Sequence, residues 1–139
     1  MKKKSYRPLQ ALELFADCSP SELEQIRPLV TAIPVKAGTV LLREGSIGHE
    51  LVIITSGQAV VSSDVRGELV ATLGAGDVVG EMALLTGERR SATVTVSTDA
   101  DVLVCSVREF RSIVRIAPRV GLRIAQIGAA RREANLRAA

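Results

Sequence analysis

Between residues 33 and 106 the chain is cut into short apolar runs by glycine, and no other feature of its 139 residues restricts the fold as much. The runs are Thr39–Leu42, Leu51–Thr55, Ala59–Ser62, Glu68–Leu73, Ala92–Val96 and Val102–Cys105. Gly38, Gly45, Gly48, Gly57, Gly67, Gly74 and Gly76 punctuate them. Each run is too short for an amphipathic helix, and several alternate, as in Val94-Thr95-Val96-Ser97. Short β-branched segments with regular turn signals predict an antiparallel sandwich or barrel. No helical connection separates them, which argues against a parallel α/β sheet. Asp64–Gly67 predicts a hairpin tip.

Helical signals sit on either side. Ser19-Pro20-Ser21-Glu22 has a capping serine, a proline suited to the first helical position and a glutamate three after the cap. Leu23 and Ile26 give that helix an apolar face before Pro28 ends it. Leu12, Leu14 and Phe15 predict a helical turn upstream. Ser106-Val107-Arg108-Glu109 is a second capping box, followed by Phe110, Ile113, Val114 and Ala117 at helical spacing. Pro118 breaks that helix, and Val120, Ile124 and Ile127 share a face of a last one. Arg111, Arg115, Arg119 and Arg123 recur every four residues across this break and predict the wet side.

The formal charge of +3 conceals a polarity. Residues 1–4 carry three lysines, residues 5–107 are net −6, and residues 108–139 are net +6. A basic end suits a solvated helix face, nucleic acid or an acidic membrane surface. With one histidine, His49, no multi-histidine metal centre is available. Cys18 and Cys105 lie 87 positions apart and read as free thiols of a reducing compartment. The basic start is not followed by an apolar stretch, and no window is apolar enough to span a membrane, so the expectation is a cytoplasmic protein.

One segment breaks the strand pattern. Gly76 to Val94 reads as a turn, a short helix at Met82–Leu85 between Gly80 and Gly87, and a return strand that brings in Arg90. Backbone N–H groups beside an arginine make a phosphate site. Glu81 repels a phosphate, but suits a ligand that also offers a hydroxyl. Glu81 as a helix cap, Arg90 as a surface arginine and Ser91 as strand filler are the plainer readings. Gly74, Gly76 and Gly80 lack the spacing and the βαβ setting of a dinucleotide fingerprint. His49 reads as an exposed loop residue and Arg89 as solvent-facing.

Gly80-Glu81-Met82-Ala83-Leu84-Leu85 with Arg90-Ser91-Ala92-Thr93-Val94 resembles the phosphate-binding cassette of cyclic nucleotide-binding domains. Leu14-Phe15-Ala16-Asp17, Ser21-Glu22-Leu23, Arg43-Glu44-Gly45 and Ile54-Thr55-Ser56-Gly57 are similar to the family's entry helices and early strands. The resemblance covers roughly residues 9–135. It implies a mainly β protein, an eight-stranded jelly-roll (double-stranded β-helix) barrel flanked by N- and C-terminal α-helices. One domain over 1–139 would comprise a helical part at 9–32, a barrel at 33–106 with its cassette at 80–94, and lid helices at 107–137.

The resemblance also implies roles. Glu81 would accept the ribose 2′-hydroxyl and Arg90 would pair with the cyclic phosphate. Ser91 and the backbone amides of Ala83 and Ala92 would complete the phosphate cradle, Gly80 would let the backbone approach the sugar, and Met82 would belong to the same ligand-binding set. The last helix would close over the base, with Arg123, Ile127, Arg131 and Arg132 all candidates for the residue that caps it. Val52 and Val79 stand where relatives often have an aromatic residue, which implies a repacked core. Ser91, where cyclic GMP-preferring relatives tend to have threonine, leans towards cyclic AMP.

The implied function is a regulatory sensor that binds cAMP, possibly cGMP, needs no cofactor, and acts on an effector protein that the sequence does not identify. It would be a monomer, or a homodimer through the C-terminal helix. Alternatives are a cAMP-responsive regulator acting on DNA or a partner protein through the basic helix, and a degenerate domain without a ligand. About twenty residues follow Pro118, too few for a helix-turn-helix, so sequence-specific nucleic-acid binding is not expected. No nucleophile–base–orienter set is visible, so no enzymatic activity is expected either.

Overall fold

The computed structural model describes Leu9 and residues 12–64, 68–81 and 86–138, with the side chains of 68–70, 128 and 131–138 set aside. A 3-10 turn at Glu13–Phe15 leads to helix α1, Pro20–Ile26, and a second 3-10 turn at Arg27–Leu29. Eight strands follow: β1 Thr31–Val35, β2 Val40–Leu42, β3 Glu50–Ser56, β4 Ala59–Ser63, β5 Glu68–Leu73, β6 Val78–Val79, β7 Thr93–Val96 and β8 Ala100–Ser106. Helices α2, Val107–Ile116, and α3, Pro118–Ala138, close the chain. None of the described helices is long and apolar enough to cross a membrane.

Both capping boxes form. The Ser19 hydroxyl accepts from the Glu22 N–H at 3.1 Å while the Ser19 N–H donates to Glu22 Oε1 at 2.7 Å. Ser106 and Glu109 repeat the exchange at 3.1 and 2.8 Å. Each such cap stabilises its helix by about 1 kcal/mol. Pro118 separates α2 from α3 because it forces Ala117 out of the helical region, to φ −137 and ψ 86.

The strands form two antiparallel sheets, ordered β1-β8-β3-β6 and β2-β7-β4-β5. The mainly β jelly-roll expectation with flanking helices stands: among the described residues the eight strands form two four-stranded sheets rather than a closed barrel. Pro34 suits the open edge, since it has no N–H to donate and β1 pairs only with β8. That proline also hid β1 from the strand pattern. β6 went unseen because it has only two residues, just before the cassette.

Two cores result. Leu42, Val52, Ile54, Ala59, Val79, Val94 and Val102 fill the space between the sheets. Leu51, Ile53, Leu103 and Cys105, pointing the other way, pack with Phe15, Ile26, Ile113 and Ile124 of the helical layer. The first sheet is thus covered on both faces, which is why Leu51-Val52-Ile53-Ile54 is apolar without interruption. Val52 lies opposite Val79 in register, both nearly fully buried, so a β-branched pair fills this part of the core. The β4–β5 hairpin is pinned by Glu44, whose carboxylate accepts from Ser63 Oγ at 3.0 Å and from the Asp64 N–H at 2.8 Å. Val65–Gly67 of its expected tip lie outside the described residues.

Cys18 and Cys105 are free thiols, as expected. Burial pushes the Cys105 thiol up from 9.0 to about 12, with Glu109 and Glu50 adding to the effect. The folded state thus favours the neutral thiol more strongly than the unfolded chain does. Its contribution to stability is therefore complete below the unfolded thiol's pKa and is lost as pH rises towards 12. Between pH 9 and 12 the melting temperature of the wild type is expected to fall more steeply than that of Cys105→Ala. Parallel pH profiles would refute this.

Candidate functional site

The site is built on the two ends of the cassette. After β6, Gly80 turns the chain with φ +89, a conformation that side chains oppose. Glu81 follows, helical in backbone and 1% exposed. At the other end the backbone of Arg90 is fixed to the β2–β3 loop. Its N–H donates to Ser46 O at 2.8 Å and its carbonyl accepts from the Gly45 N–H at 2.9 Å.

The Arg90 side chain turns inward to 8% exposure. Nη1 donates to Gly80 O at 3.0 Å and Nη2 to Glu50 O at 2.8 Å. Both partners are neutral carbonyls. Among the described residues no carboxylate forms an ion pair with this guanidinium. Burial pushes its pKa below the ordinary value, and the negative charges of Glu50 and Glu81 oppose that shift. An arginine stays charged through such a shift, so a cation is held in a largely water-free place without direct neutralisation. A buried guanidinium with a fixed fork suits an anion with two oxygens, as a phosphate has. The buried acid beside it is an acceptor for a hydroxyl.

The structure thus brings together Gly80, Glu81 and Arg90. Ala92 is half-buried just before β7, and Ser91 is exposed. Met82 and Ala83 lie outside the described residues. Of the lid candidates on α3, Arg123 and Ile127 have described side chains. Arg123 donates to Glu13 O at 2.9 Å and to Asp17 Oδ2 at 2.7 Å, tying α3 to the N-terminal turn. The expected wet stripe is corrected at this position: Arg111, Arg115 and Arg119 are exposed, but Arg123 is half-buried and paired. Ile127 packs against the helical core. Arg131 and Arg132 fall on the helix, but their side chains are outside the description. His49 is exposed, and Arg89, also exposed, donates to Gly45 O at 2.9 Å.

Sequence reasoning missed Glu50 and Gly48. Glu50 contributes its backbone carbonyl, which any residue carries, so no side-chain signal marked it. Gly48 was visible only as turn punctuation.

The family model for the cyclic nucleotide-binding domain matches residues 32–116. A cyclic nucleotide-gated potassium channel of Rhizobium etli is 29% identical over 129 residues, covering 93% of this chain and 36% of its own length. A cAMP-dependent protein kinase regulatory subunit of Yarrowia lipolytica is 31% identical over 106 residues, covering 76% of this chain and 28% of its own. The chain spans about a third of the length of the curated relatives it matches. Among solved structures, the regulatory domain of Toxoplasma gondii PKA with cAMP aligns at a TM-score of 0.69 and 32% identity, covering 81% of this chain and 44% of that one. The catabolite activator protein of Thermus thermophilus aligns at 0.78 and 27% identity, covering 89% and 60%.

Proposed function

The chain belongs to the family of cyclic nucleotide-binding domains, and we propose that it binds cyclic AMP in preference to cyclic GMP and passes the binding event to its C-terminal helices. The observation that carries this reading is the buried Arg90, held by the carbonyls of Gly80 and Glu50 rather than by a carboxylate. The cyclic phosphate supplies the missing negative charge. Glu81, 1% exposed beside it, accepts the ribose 2′-hydroxyl. Ser91, with the backbone amides of Ala83 and Ala92, completes the phosphate contacts. The family's role is ligand sensing, so the output is a change of conformation or contact rather than turnover.

The preference for cyclic AMP is supported by the serine at 91, by the similarity to a cAMP-dependent protein kinase regulatory subunit and by the alignment with a PKA regulatory domain bound to cAMP. The route to the helices is supported by packing. Leu51 and Ile53 of β3 touch the same core as Ile113, Val120 and Ile124 of α2 and α3, and Glu50 of that strand holds Arg90. A ligand shifts such helices only as far as it binds two arrangements differently.

Calorimetric titration with cyclic AMP, cyclic GMP and linear 5′-AMP tests the reading. Cyclic AMP is expected to bind with a micromolar or lower Kd, about −8 kcal/mol or better, with the other two weaker. Binding of neither cyclic nucleotide would refute it. Hydrogen exchange along α2 and α3, with and without cyclic AMP, tests the helix response, and unchanged protection would remove that part.

A further inference from the structure

Gly48 lies in the β2–β3 loop and its φ is not positive, so its backbone conformation does not call for glycine. Its surroundings do. A Cβ built on Gly48 would fall on Cζ, Nε and Nη2 of Arg90. A Cβ on Gly80 would stand 2.6 Å from Nη1 of the same guanidinium. The arginine head therefore lies in a slot beside two residues without side chains. From Gly80 the slot takes a carbonyl and a turn. From Gly48 it takes only empty space.

We infer that Gly48 is a positioning residue for ligand binding: its missing side chain leaves the slot in which the Arg90 guanidinium is aligned. This rests on Arg90 binding the cyclic phosphate. Any side chain at 48 displaces the guanidinium from Gly80 O and Glu50 O. The obstructing atoms are the far end of a flexible side chain, so Arg90 swings away while the strands stay as they are. The fork then no longer meets the phosphate in register, and a misplacement on the order of 1 Å is costly for such contacts.

A double-mutant cycle on cyclic AMP affinity tests this, with Gly48→Val, Arg90→Leu and the pair measured beside melting temperatures. Gly48→Val is expected to weaken binding roughly tenfold to hundredfold. Because it acts through Arg90, the pair is expected to bind no worse than Arg90→Leu alone, within about twofold. Wild-type affinity in Gly48→Val, or losses that multiply in the pair, would overturn the assignment. Wild-type affinity in Arg90→Leu would instead overturn the binding role beneath it. If Gly48→Val melts several degrees lower, Gly48→Ala carries the same cycle with a single Cβ. A loss absorbed by Arg90→Leu supports the assignment there, and wild-type affinity or a multiplying loss counts against it.

Discussion

Arg90→Leu is expected to weaken cyclic AMP binding by two to three decades while the domain stays folded. The guanidinium is 8% exposed and makes two hydrogen bonds to backbone carbonyls. Leucine removes the cation that a buried phosphate needs. Leaving one charge of such a pair buried alone costs about 3–4 kcal/mol, which is the stated loss of affinity. The carbonyls of Gly80 and Glu50 lose a donor each, so stability is expected to drop by about 1–3 kcal/mol. That is less than the total stability of a typical domain. Titration calorimetry beside a thermal melt separates the two effects. Arg90→Lys is a useful companion: it keeps the charge but not the fork, and should fall between the wild type and Arg90→Leu. A folded Arg90→Leu protein with wild-type affinity would remove Arg90 from the site.

Gly80→Ala is expected to lower both melting temperature and affinity. Its φ of +89 is unfavourable for any side chain, at about 1–3 kcal/mol. The added Cβ would also stand 2.6 Å from Arg90 Nη1 and 2.8 Å from Glu50 O. The second contact matters more, because Glu50 O belongs to β3, a strand paired on both sides, and cannot move aside. Melting is expected to drop by about 4–10 °C. Cyclic AMP affinity is expected to fall with it, because the carbonyl that aligns Nη1 shifts. Gly48→Val differs in sign of emphasis: affinity falls there with little change in melting. A Gly80→Ala protein that melts and binds like the wild type would refute the close approach described here.

The two substitutions show where the site could be read in advance and where it could not. Glu81 and Arg90 announced themselves because they flank a short helix-forming stretch that breaks the strand pattern, in the order of the family's phosphate-binding cassette. The flanking helices were legible for a similar reason. Ser19–Glu22 and Ser106–Glu109 carry their cap within four residues, and both caps form. Strands β3 and β5 were readable from continuous or alternating apolar runs. β1 was not, since its pairing is decided by β8, about seventy residues away. Arg123 shared a four-residue period with Arg119, yet only the place where α3 packs put it beside Asp17 and Glu13.

What the amino-acid order determined by itself was local: caps, turns, apolar runs and the charged residues of the cassette. Those depend on interactions among neighbours in the chain. What only the tertiary structure decided was which backbone atoms meet those charges. Arg90 finds Gly80 O ten residues back and Glu50 O forty back, in a slot left open by Gly48. A carbonyl has the same chemistry in every residue, and an absent side chain leaves no mark of what will fill its space. Both become specific only when the strands bring them together.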